Sequence, residues 1–115
     1  MNDAFKGLET QTYEDGVNLA ISNGYEKKYY FNDDFDQVPE QVQKELHVLL
    51  VWHTEECGGI IAVGFDKHGK LYIEATAKEY DGTFDEIGSH LKIREYQRDR
   101  KDLFASLEKF YDCFF

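Results

Sequence analysis

A chain of 115 residues is long enough to bury one hydrophobic core and not two, and its 23 acidic against 13 basic side chains give a formal net charge of -10. That balance excludes the class of proteins that hold a phosphate backbone, because such binding needs a surplus of Lys and Arg. With 42% hydrophobic and 16% aromatic residues and a single proline, the composition is that of a folded domain and not of a linker.

The first 24 residues carry Gly7, Gly16 and Gly24 among scattered apolar positions. They read as a loosely structured lead-in with one short element around Val17-Asn18-Leu19-Ala20-Ile21. Tyr25 to Phe31 is aromatic enough for an edge strand, while Glu26, Lys27 and Lys28 equally suit a short helix. Asn32-Asp33-Asp34-Phe35-Asp36 is turn chemistry, and Pro39 followed by Glu40 marks a helix start. The stripe Val42, Leu46, Leu49, Leu50, His53 continues that helix, widened by Val48, Val51 and Trp52, until Gly58-Gly59 ends it.

Two strands follow, Ile60 to Phe65 and Leu71 to Ala77, joined by the hairpin loop Asp66-Lys67-His68-Gly69-Lys70. The first is apolar on both sides. In the second, Leu71, Ile73, Ala75 and Ala77 alternate with Tyr72, Glu74, Thr76 and Lys78, which predicts one packed and one watery face. Thr83 and Glu86 fit a capping box. A long helix then runs to near the end with the seam Ile93, Tyr96, Leu103, Leu107, Phe110, Phe114. The expected fold is one α+β domain, residues 1–115, with two main helices packed on a small antiparallel sheet built on the central β-hairpin.

His53, Glu56 and Cys57 lie within one helical turn, the spacing at which two side chains share a metal, but a third ligand would have to come from as far as His47 or His90. No metal and no cofactor is assigned. Cys57 sits at the negative end of a helix dipole, which opposes a reactive thiolate and favours a small core residue. Asp33-Asp34-Phe35-Asp36 lacks the alternating ligands and distal Glu of a calcium loop, and no serine elbow or phosphate loop occurs. Cys57 and Cys113 are too few for a disulfide framework, no apolar run reaches the roughly 18 residues of a membrane span, and Met1 to Gly7 has no leader pattern. A cytoplasmic chain with reduced thiols and no membrane contact is expected.

The aromatic seam carries the functional expectation. A helix of about 30 residues would be about 45 Å long and overhang a small domain. This points to a non-catalytic interaction module with a protein partner, foremost a homodimer, through Tyr96, Leu103, Leu107, Phe110 and Phe114. Two alternatives stand beside it. One is an acidic immunity-type inhibitor that covers a basic toxin or nuclease with Asp33, Asp34, Asp36, Glu55 and Glu56; the other is a small metal-dependent enzyme at His53, Glu56 and Cys57.

Tyr25-Glu26-Lys27-Lys28-Tyr29-Tyr30, Pro39-Glu40-Gln41-Val42, Thr54-Glu55-Glu56, Gly58-Gly59-Ile60 and Asp85-Glu86-Ile87-Gly88-Ser89 resemble a family of small bacterial proteins of unknown function. The resemblance runs from about Tyr25 onward. It implies a cytoplasmic protein of an anaerobic, Gram-positive type of cell and carries no activity, ligand or fold with it.

Overall fold

The computed structural model describes residues 16–115. Among them the order is β1 (Val17–Asn23), β2 (Lys28–Phe31), a 3-10 turn (Asp33–Phe35), α1 (Glu40–Cys57), β3 (Ile60–Phe65), β4 (Leu71–Thr76), α2 (Glu86–Asp99) and α3 (Lys101–Phe114). The strands form one antiparallel sheet in the order β2-β1-β3-β4, so the fold is α+β as the sequence predicts. No helix among the described residues is long and apolar enough to cross a membrane.

The main correction concerns β1. Residues 1–15 of the anticipated lead-in lie outside the described residues, but Val17–Asn23 is an interior strand paired with both β2 and β3. Leu19, Ala20 and Ile21 are fully buried. A register shift between Asn18 and Ala20 lets Leu19 and Ala20 both join the main core while Ile21 packs with Ala62 in a second cluster. A bulge of this kind breaks the two-residue period by which a strand is recognised. Lys28–Phe31 resolves the alternative at Tyr25 to Phe31 in favour of the edge strand.

Helix α1 keeps the predicted bounds. Pro39 stands at its N-cap and accepts the Gln43 N–H at 3.0 Å, while Gly58, at φ +79°, closes it by donating its N–H to Thr54 at 2.8 Å. Leu46, Leu49 and Leu50 face Ile61, Val63 and Phe65 of β3 across the main core. The Ser22 and Thr54 hydroxyls bond at 2.8 Å and tie the helix to β1.

On the second face of the sheet the expectation of water is corrected at Tyr72. Its ring lies over Gly64, where a Cβ would come within 2.7 Å of it, and its hydroxyl donates to Asn18 Oδ1 at 2.7 Å. Tyr72 is buried in consequence. A glycine opposite an aromatic ring is a cross-strand pairing that packs only because the strand carries no side chain there.

The C-terminal helix is present but divided. Arg100, at φ -116° and ψ 31°, ends α2 and begins α3, which gives two helices of 14 residues, each about 21 Å long. The overhang that argued for a dimer is therefore gone. The break falls in Gln97 to Asp102, six residues without an apolar side chain, where no buried contact holds the chain straight. Beyond it α3 turns back to the sheet, burying Leu103, Phe104 and Leu107. The capping box is also corrected: Asp85 is the N-cap, accepting from the Gly88 N–H at 2.9 Å, and Thr83 bonds Asp81 instead.

Candidate functional site

Of the residues singled out as ligands, His53 forms a buried pin. His53 is 1% exposed, with Nδ1 3.0 Å from the Tyr96 hydroxyl and Nε2 2.8 Å from Ser89 Oγ, which binds α1 to α2. One ring nitrogen donates and the other accepts, so the ring's single in-plane lone pair is engaged and none is left for a metal. Burial, helped by the Lys92 charge, lowers its pKa to about 4. A histidine that weak and enclosed is a poor general base, so the Ser89 contact is not an activated nucleophile despite its geometry. Burial raises the Cys57 thiol. Glu56 is exposed, as are His47 and His90, and no group of three metal-ligating side chains occurs among the described residues. His47 instead stacks on Tyr29, ring centres 4.0 Å apart.

The expected interface residues part company. Tyr96, Leu103 and Leu107 are core residues of this same chain, and Phe110 is half-buried against that core. Phe114 remains exposed at the end of α3, stacked on Phe110 at 4.4 Å. Of the acidic residues, Asp33 and Asp34 sit in the 3-10 turn, where Asn32 caps Asp34 and buried Phe35 anchors the turn, while Glu55 and Glu56 face outward on α1.

A groove of about 1090 Å³ runs between β4 and α2. Three large apolar side chains line it while exposed: Tyr80 at 94%, Ile87 at 76% and Leu91 at 59%. Tyr80 holds φ +66°, a left-handed conformation unfavourable for an aromatic residue. The loop that carries it is tied down. The Tyr25 hydroxyl donates to the Asp81 carboxylate and accepts the Lys78 N–H at 2.9 Å, and Lys78 Nζ lies 4.7 Å over the Tyr25 ring. Asp85 donates its N–H to the Cys57 carbonyl at 3.0 Å, and Phe84 packs on Gly59, which needs its φ of +73° and its missing Cβ to admit the ring.

The wall of the groove formed by β4 is, among the described residues, an edge of the sheet. The hairpin closes with the Asp66 N–H on the Lys70 carbonyl at 2.9 Å, which makes Phe65 and Leu71 a non-hydrogen-bonded pair. Because the two kinds of pair alternate, Tyr72, Glu74 and Thr76 bond β3, while Leu71, Ile73 and Ala75 turn their N–H and C=O outward. Leu71 donates to Glu108 of α3 at 2.8 Å. The outward groups of Ile73 and Ala75 have no partner among the described residues.

Sequence reasoning missed this groove. Ile87 and Leu91 lie one turn apart, off the Ile93–Tyr96 seam, and that offset was the only signal of a second apolar stripe on α2. Comparison with known proteins agrees with the limited reach of the motifs: no curated protein and no solved structure matches the chain. A family model does match over residues 16–115, nearly the whole length, and the chain accordingly belongs to the family of unknown function DUF6145.

Proposed function

We propose that this chain is a non-catalytic protein-interaction module whose binding surface is the groove between β4 and α2. The observation that carries the reading is the grouping of Tyr80, Ile87 and Leu91 on one groove, three of the seven large apolar side chains exposed among the described residues. Clustered apolar exposure with a polar rim marks a protein-binding surface. The rim is preorganised through Tyr25 and Asp81, so a partner does not bear the entropy of ordering that loop. The enclosed His53 and Ser89 argue against chemistry there.

The test is quantitative capture from lysate of the source cell with three forms of the full chain: wild type, Ile87→Asp/Leu91→Asp, and Val48→Asp. Val48 is 70% exposed on α1, outside the groove, and serves as the control. A protein retained by wild type and control and lost from the double variant supports the reading; equal retention by all three refutes it. A second reading, self-association, is favoured by Phe114 and Phe115, 63% and 62% exposed together at the end of α3. Light scattering on the wild type and Phe114→Ser tests it: a dimer lost in the variant supports it, and a monomer at every concentration rejects it.

A further inference from the structure

We infer that the groove takes an extended, basic segment of a partner protein, which adds to β4 as a fifth strand. The inference deepens the groove reading and rests on it.

The open edge supplies the docking groups. A strand laid about 4.8 Å beyond β4 would meet the outward N–H and C=O of Ile73 and Ala75, and would place alternate side chains toward α2. The two edges of the sheet are not equivalent. β2 has four residues and begins at Lys28, beside Glu26 and Lys27, which are the short length and flanking charge that block edge pairing. β4 has six residues, of which only Glu74 is charged.

Charge selects the occupant. Among the charged groups lining the groove, Lys78 is engaged with the Tyr25 ring and Asp81 with Tyr25 and Thr83. That leaves Glu86 and Arg94 on the α2 side, and Glu74 on the opposite face of β4 with Tyr72 and Thr76, on a chain of net charge -10. Glu74 Oε2 is buried with no hydrogen-bond partner among the described residues. Desolvation raises its pKa, the mark of a carboxylate lacking a cation. A Lys or Arg opposite Glu74 on the added strand would supply one. The same residue disfavours a second copy of this chain. The register that pairs Ile73 with Ala75 in both directions sets Glu74 directly opposite Glu74, and like charges in that position repel.

The experiment selects from a random library of displayed peptides of about ten residues against the full chain at physiological salt. The enriched peptides are synthesised and titrated onto labelled protein, with amide exchange read by NMR. Expected are sequences alternating apolar residues with Lys or Arg, without central proline, that slow exchange at the Ile73 and Ala75 amides. Ala75→Pro removes an outward N–H that bonds nothing among the described residues and should weaken these peptides about tenfold or more, with an unchanged melting temperature. N-methylation of alternate peptide amides gives the same reading without altering the protein. Glu74→Gln should weaken basic peptides severalfold and leave neutral analogues unchanged. No enrichment, unprotected edge amides, or protection of those amides by self-association alone overturns the inference. Binding lost in Ile87→Asp/Leu91→Asp but kept in Ala75→Pro and by N-methylated peptides would retain the groove and reject the strand; binding indifferent to all of them rejects both.

Discussion

Acidification destabilises this fold through His53. The ring is 1% exposed, bonded to Tyr96 and Ser89, and holds a pKa of about 4 against 6.5 for the unperturbed side chain. The unfolded chain therefore takes up its proton first, and the stability contributed by keeping the ring neutral is complete above pH 6.5 and is lost as pH falls toward about 4. The loss is about 1.4 kcal/mol near pH 5.5 and about 2.5 kcal/mol near pH 4.5, approaching about 3.4 kcal/mol below. Carboxylates also titrate in this range, so the measurement needs a reference that shares them and lacks the imidazole. His53→Gln is that reference: it is neutral at every pH and less stable at pH 7 by about 1–3 kcal/mol through imperfect hydrogen bonding. Urea denaturation of both proteins should show the wild-type advantage shrinking by about 2.5 kcal/mol between pH 7.5 and pH 4.5. The His53 ring carbons should keep their neutral chemical shifts to below pH 5 in the wild type. A constant advantage across that range, or a ring that titrates near 6.5, would refute the reasoning.

Three further outcomes follow from the packing. Gly64→Ala places a Cβ 2.4 Å from the Val17 carbonyl oxygen and 2.6 Å from the Tyr72 hydroxyl, so thermal denaturation should show a loss of about 2–3 kcal/mol, the cost of overpacking against backbone that cannot move aside. Asp85→Ala should cost about 1 kcal/mol, as loss of an N-cap does, whereas Thr83→Ala should cost only a few tenths; equal effects would return the cap to Thr83. Cys113 is exposed and Cys57 is buried with a raised pKa, so iodoacetamide at pH 8 should label one thiol quickly in the native protein, identified by mass spectrometry as Cys113, and both in urea.

Much of the fold was legible locally. Pro39 before an acidic first turn and a glycine pair after the last apolar position bound α1 because each uses chemistry that acts within one turn of the chain. The hairpin from Ile60 was legible for the same reason, through Gly69 at φ +79° and the continuous apolar run of β3. The interior role of β1 was not, because the shift at Asn18 and Ala20 hides its alternation. Thr83 imitates a cap, and only the course of the chain past Asp81 shows that Asp85 reaches the free amide.

The candidate site was less legible still. The seam positions Tyr96, Leu103 and Leu107 look alike whether they face a partner or their own sheet. The difference lies at Arg100, where the helix breaks with neither glycine nor proline and α3 turns back to bury Leu103, Phe104 and Leu107. The sequence by itself determined the class of the fold, the limits of α1, the hairpin and the excess of negative charge, all properties of neighbouring residues or of their sum. Tertiary structure alone decided that His53 is a pin, that Tyr96, Leu103 and Leu107 are core, and that β4 is the last strand of the described sheet, beside Ile87 and Leu91. Each of those depends on which strand lies last in the sheet and where the final helix turns, and both are set by contacts between residues far apart in the chain.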